Sequence, residues 1–230
     1  MKTIGMIGGM SWESTAVYYR IINETVKDRL GGHHSARIFL YSVDFYEVEK
    51  LQREERWDEA ASVMIDAARR LERGGADFIL ICTNTMHRSA EQVMEAVDLP
   101  LLHIVDATKE YVLDSGCRKT GLLGTRYTME SDLFTGRSSS ADGLEVIAPE
   151  PSDREIVHKI IYGELVLGKI KEGSRKELVR IMGALTNRGA DGIILGCTEL
   201  SLLVTQEDSP VRLFDTTRIH ARAAAEYALK

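Results

Sequence analysis

The 230-residue chain has no apolar run approaching the ~18 residues needed to cross a bilayer, and no proline- or glycine-rich stretch that would serve as a linker. It also lacks an excess of positive charge. Its 29 Lys and Arg against 35 Asp and Glu leave a formal charge of −6, which argues against nucleic acid or an anionic membrane as the main partner. Three cysteines, without metal-ligand or disulfide-framework spacing, fit a reducing cytoplasm. His33 and His34 have no thiol or acidic neighbour, so no metal is expected there. The Met1–Met10 segment is too short for a secretory signal, and Glu13 follows it closely. The expectation is a soluble cytoplasmic protein. Two glycine turns, Gly8-Gly9-Met10-Ser11 and Gly124-Thr125-Arg126-Tyr127-Thr128, match neither of the phosphate-binding glycine patterns, so nucleotide binding is poorly supported.

What is present is an ordinary globular composition, 44% hydrophobic and 28% charged, in which short apolar runs alternate with helical patterns. Strands are expected at Thr3–Ile7, Ala36–Ser42, Phe78–Ile81, Leu101–Val105, Lys119–Leu123, Leu144–Ala148, Gly192–Leu195 and Val211–Phe214. Their runs are continuous rather than alternating, as parallel strands covered on both faces require. Ser11 can cap a helix running to Leu30 with Tyr18, Ile21, Ile22 and Val26 on one stripe. Further helices are expected near Trp57–Arg73, Arg175–Arg188 and Thr216–Leu229, the last packing back on the first lobe. This order reads as α/β.

The two halves resemble each other. Gly75-Ala76-Asp77, followed by an apolar run into Cys82-Thr83-Asn84-Thr85, returns as Gly189-Ala190-Asp191 and a run into Gly196-Cys197-Thr198-Glu199. The offset is 189 − 75 = 114, and it sets Cys197 on Thr83 and Gly196 on Cys82. The expected architecture is two pseudosymmetric lobes, each a four-stranded parallel sheet flanked by helices. The first lobe comprises residues 1–105 plus 214–230 and the second residues 106–213, with the active site in the interlobe cleft. Ligands in open parallel sheets bind beyond the carboxyl ends of the strands, where all these motifs fall.

Cys197 is the leading catalytic candidate. It precedes a short helical stretch, whose positive N-terminus should push the thiol toward thiolate. Thr83, Asn84 and Thr85 offer hydroxyls and an amide suited to a carboxylate, and Thr125 and Thr128 add two more hydroxyls. Thr198 and Glu199 adjoin the thiol and complete the candidate binding set. His87 is an accessory candidate that would orient site groups. Cys82 is an accessory candidate too, or simply the last buried residue of its strand. Whether Cys82 or Thr83 faces a substrate is left open by the residues alone, and the repeat favours Thr83. Cys117 reads as structural.

Met-Lys-Thr-Ile-Gly-Met-Ile-Gly-Gly-Met at Met1–Met10, Cys82-Thr83-Asn84-Thr85-Met86-His87 and Gly196-Cys197-Thr198-Glu199 together resemble the aspartate/glutamate racemase family. The likeness runs the whole chain, and includes Val43-Asp44-Phe45 and Phe214-Asp215-Thr216. It implies a cofactor-independent isomerase, with no pyridoxal phosphate, that acts on a small amino acid, and it implies a homodimer. In this family two opposed thiols remove and return the α-proton. Here Thr83 stands where the first thiol belongs, which is similar to the L-aspartate/L-glutamate-specific branch with a Thr/Cys pair. In that branch Met10, Gln52 and Thr83–Thr85 correspond to substrate contacts. Val166 stands where the family often has lysine, so neutral substrates such as homoserine come into range. The single thiol also resembles arylmalonate decarboxylase. A decarboxylase or isomerase using Cys197 alone, and a non-catalytic amino-acid-binding protein, are therefore the alternatives.

Overall fold

Seven strands form two parallel sheets in the computed structural model, which describes residues 1–137 and 143–230. The chain divides into two units, Met1–Ile104 with His220–Lys230, and Val105–Ile219. In the first unit β1 (Thr3–Gly8), α1 (Trp12–Leu30), β2 (Arg37–Ser42), α2 (Phe45–Arg53), α3 (Trp57–Gly74), β3 (Phe78–Ile81) and α4 (Ala90–Ala96) precede α5 (Ile104–Asp114), whose first residue closes the unit. The sheet order is β2-β1-β3.

In the second unit come β4 (Lys119–Gly124), α6 (Arg126–Met129), α7 (Asp132–Arg137), β5 (Glu145–Ile147), α8 (Pro151–Gly163) and α9 (Glu172–Asn187). They are followed by β6 (Gly192–Gly196), α10 (Leu200–Leu203), β7 (Arg212–Asp215) and α11 (Thr216–Leu229), which continues into the first unit from His220. Here the sheet order is β5-β4-β6-β7.

The expected fourth strand of the first sheet, Leu101–Val105, is not formed. Only Leu101 bridges Ile79, with Leu102 N–H donating to the Ile79 carbonyl at 2.9 Å. The backbone leaves the ladder because Ile104 already starts α5, and its N–H is taken by the His87 Nε2 at 3.2 Å. That bond satisfies one of the donors a helix start leaves without an intrahelical partner.

Local chemistry explains the other boundaries. The Ser11 side chain accepts from Ser14 N–H and caps α1, and Asp44 accepts from Tyr46 N–H and caps α2. Gly9 has φ +92 with Val43 backbone crowding the place of a side chain, so no other residue fits that turn. Gly75 and Gly189 share a left-handed φ of +91 just past the ends of α3 and α9.

The repeated Gly-Ala-Asp has a structural purpose as well. The Asp77 carboxylate accepts from Thr3 N–H at 2.6 Å, and the Asp191 carboxylate from Arg118 and Lys119 N–H at 2.8 and 3.1 Å. Each aspartate thus clasps the start of its unit's central strand to the segment entering β3 or β6.

Packing follows the strand alternation. Ile79 and Ile81 face one cluster with Ile7, Ala60, Met64, Ala68 and Leu71, the last four from α3. Phe78, Leu80 and Cys82 face another, with Tyr18, Ile22 and Val26 of α1 and Ala221, Ala224, Ala225 and Ala228 of α11. Burying each large aliphatic side chain stabilises the fold by roughly 1.5–3 kcal/mol. The alanine stripe lets α11 lie close to the first sheet.

Candidate active site

Strand register relates the two halves independently of the sequence repeat. Ile7 pairs with Ile81 in the first sheet, and Leu123 pairs with Leu195 in the second. Ile7 and Leu123 are each the fifth residue of a six-residue strand, β1 and β4, so Ile81 corresponds to Leu195, again an offset of 195 − 81 = 114. Two residues farther on, Thr83 corresponds to Cys197. Both lie just beyond the carboxyl end of a central-neighbour strand, and both are half-buried.

In the first unit Cys82 points into the apolar cluster with no exposed surface, and burial pushes its thiol well above the ordinary range. Beyond it the chain turns through Thr83 and Asn84 into a 3-10 turn, Thr85–Ser89. The His87 Nδ1 lies 2.7 Å from the Thr83 carbonyl oxygen. Asn84, Thr85 and His87 are buried, as are Gln52 in the last turn of α2 and Met10, which packs in the cluster beneath α3. His103 and His220 lie beside His87, with ring centroids 4.7 and 5.5 Å from it. His220 bridges the Tyr18 hydroxyl at 2.9 Å and the Leu102 carbonyl at 2.8 Å. Burial lowers His220 to about 4, so the ring is neutral.

In the second unit the Cys197 thiol donates to Glu199 Oε2 at 3.0 Å. The thiol is raised well above its ordinary value, first by burial and then by the negative charge and hydrogen bond of Glu199, with Asp215 adding to it. The expected shift toward thiolate is therefore reversed. The helix that was to supply the positive field, α10, is a single turn beginning three residues later, while a carboxylate touches the sulfur. Thr125 caps α6, and its hydroxyl lies 3.2 Å from that of Thr128. The Thr198 hydroxyl lies 3.0 Å from that of Thr217, and Glu199 is buried.

Asp215 was not among the candidates. It ends β7, pairs in register with Leu195, accepts from Thr217 and Arg218 N–H, and is itself raised by burial. Its signal in the sequence is the Phe214-Asp215-Thr216 segment, whose acid falls at a strand end.

Two parallel-sheet α/β units, with a thiol–carboxylate pair beyond a strand end in one and a hydroxyl at the matching position in the other, define a class of small-molecule enzyme. Family comparison makes this specific. Residues 7–224 match the model of the Asp/Glu/Hydantoin racemase family, and the chain belongs to that family of isomerases.

The chain is 25% identical to the broad specificity amino-acid racemase RacX of Bacillus subtilis (strain 168), over 96% of this chain and 95% of that one. A protein from Yersinia pestis, described as a candidate Asp/Glu racemase, is 54% identical with a TM-score of 0.93, covering all of both chains. An aspartate racemase homologue from Pyrococcus horikoshii OT3 is 37% identical with a TM-score of 0.85, again over both whole chains.

Proposed function

We infer that the protein is a cofactor-independent racemase of L-aspartate, L-glutamate or a closely related amino acid, with Cys197 and Thr83 acting on opposite faces of the α-carbon. The observation that carries this reading is the half-buried Cys197 thiol hydrogen-bonded to Glu199 at a strand end whose counterpart bears Thr83. Family membership supports the reaction type.

The thiol is protonated in its environment, so its proton must leave before it can serve as a base. Glu199 Oε2 is the acceptor in place. The Sγ–H bond breaks as the Oε2–H bond forms, and the thiolate then takes the α-proton. Hydroxyl and amide donors of Thr83–Thr85, Thr125, Thr128 and Thr198, with Gln52 and Met10 as further contacts, are proposed to hold the substrate. Hydrogen bonds to its carboxylate would stabilise the developing carbanion. Return of a proton to the same face regenerates the L-enantiomer, and delivery from the Thr83 side gives the D-enantiomer. A hydroxyl gives up and takes protons far less readily than a thiol near neutral pH. The two routes are therefore unequal, and isotope exchange into the L-substrate outruns D-product formation.

Deuterium uptake at Cα of L-aspartate and L-glutamate, followed by proton NMR without added cofactor, tests the reading. Cys197→Ser is expected to lower uptake by about 10²–10⁴-fold, the range for losing a general acid–base group. Uptake equal to the unaltered protein would sink the assignment. A one-thiol decarboxylase has a specific point in its favour, because Cys82 is committed to the core. Release of CO₂ from an arylmalonate without amino-acid exchange would establish that alternative instead.

A further inference from the structure

We propose that His87 is a positioning residue for Thr83, acting as one fixed neutral tautomer. This rests on the reading of Thr83 as the group opposite Cys197. The tautomer follows from two hydrogen bonds of the ring. Ile104 offers only a backbone N–H, at 3.2 Å from Nε2, so Nε2 is the acceptor and carries no proton. The Thr83 partner is a carbonyl oxygen 2.7 Å from Nδ1, so Nδ1 carries the proton and donates it. Each contact demands what the other allows, and the opposite tautomer would lose both.

The ring is 2% exposed, so water does not replace either partner. Losing a buried hydrogen bond of this kind leaves a backbone group unsatisfied. The imidazole therefore ties the turn bearing Thr83 to the first N–H of α5, at the point where the first sheet gives up its fourth strand. The rings of His103 and His220 pack against it, and His220 is in turn held by Tyr18 and the Leu102 carbonyl. The turn is thus braced from residues 102–104, α1 and α11 together.

The two contacts can be separated by substitution. An asparagine amide reaches roughly where Nδ1 lies, and a glutamine amide roughly where Nε2 lies. His87→Gln keeps an acceptor for Ile104 N–H and loses the Thr83 contact. His87→Asn keeps the Thr83 contact and loses the other. The readout is the ratio of D-product formation to deuterium uptake into the L-substrate, because only the first needs Thr83. His87→Gln is expected to lower that ratio about tenfold or more, with KM little changed, since small misplacements of a reacting group have effects of this order. His87→Asn is expected to restore most of the ratio while melting at a lower temperature than the unaltered protein.

Long-range proton–nitrogen correlation on the unaltered protein is expected to show His87 protonated at Nδ1 alone. A ring protonated at Nε2 would overturn the proposal without any activity measurement. So would Gln and Asn variants whose ratios fall in step with their melting temperatures. Absence of deuterium uptake in the unaltered protein would instead overturn the racemase reading on which this rests.

Discussion

At the end of β3 the chain presents Cys82 to an apolar cluster and Thr83 beyond it, while at the end of β6 it has Gly196 and then Cys197 at the corresponding positions. The backbones match in register, in the aspartate clasp before the strand and in the left-handed glycine before that. The chemistry does not match. One end has its thiol turned inward and held protonated by burial alone, and the other has its thiol beside a carboxylate. The number of cysteines near a strand end is therefore a poor guide to the number of thiols available for reaction. What decides is the face of the strand each one occupies.

The comparison is broken most severely at Glu199. Glu199→Gln removes the acceptor for the Cys197 proton and is expected to lower deuterium uptake by about 10²–10⁴-fold. Because Glu199 also raises the thiol, the same variant should be alkylated by iodoacetamide at lower pH than the unaltered protein. An unchanged alkylation profile would contradict the geometry.

Next is the missing second thiol. Thr83→Cys should put a thiol at both ends and raise the ratio of D-product to L-exchange by about tenfold to a hundredfold, while Thr83→Ala should nearly abolish D-product. Chiral chromatography combined with mass spectrometry reads both.

The frame behind Thr83 gives a stability effect. His220 is held neutral down to about 4 by burial, against an ordinary value of 6.5. The unfolded chain binds a proton first as pH falls, so this contribution is complete above 6.5 and is lost between 6.5 and about 4. The loss amounts to about 3 kcal/mol. Urea denaturation across that range should show a shallower decline for His220→Gln than for the unaltered protein.

The smallest effect belongs to Cys82. Cys82→Ser places a hydroxyl in the apolar cluster and should cost about 1–3 kcal/mol of stability, with D-product and L-exchange per folded molecule unchanged. Loss of activity without loss of stability would reinstate Cys82 as a reacting group.

Much of this was legible in the sequence, for identifiable reasons. Helix α1 carries its cap at Ser11 and its stripe from Tyr18 to Val26, and α11 spans Thr216–Leu229 as its pattern implies. The repeat offset of 114 matched Thr83 to Cys197 before any register was known, because the spacing from the Gly-Ala-Asp to the residue beyond the strand is duplicated. The fourth strand of the first sheet was misjudged at Leu101–Val105, since the apolar run there is shared between a bridge and a helix start. The direction of the Cys197 shift was misjudged because it depends on a contact distance and on a helix of only one turn. The His87–Ile104 contact spans 17 residues and the Tyr18–His220 bond spans 202, and no local pattern encodes pairs of that kind.

The clasps at Asp77 and Asp191 serve as datum marks from which each strand is measured. Thr83 is the sixth residue after Asp77, and Cys197 is the sixth after Asp191. With the clasp fixed, a strand lengthened by one residue between Asp77 and Cys82 would carry Cys82 into the place Thr83 now holds and turn it out of the core. A single codon inserted in that stretch would then exchange a hydroxyl for a thiol at the position that corresponds to Cys197 without altering either residue. On the racemase reading proposed above, strand length is in that sense a heritable setting for how evenly the enzyme treats mirror images.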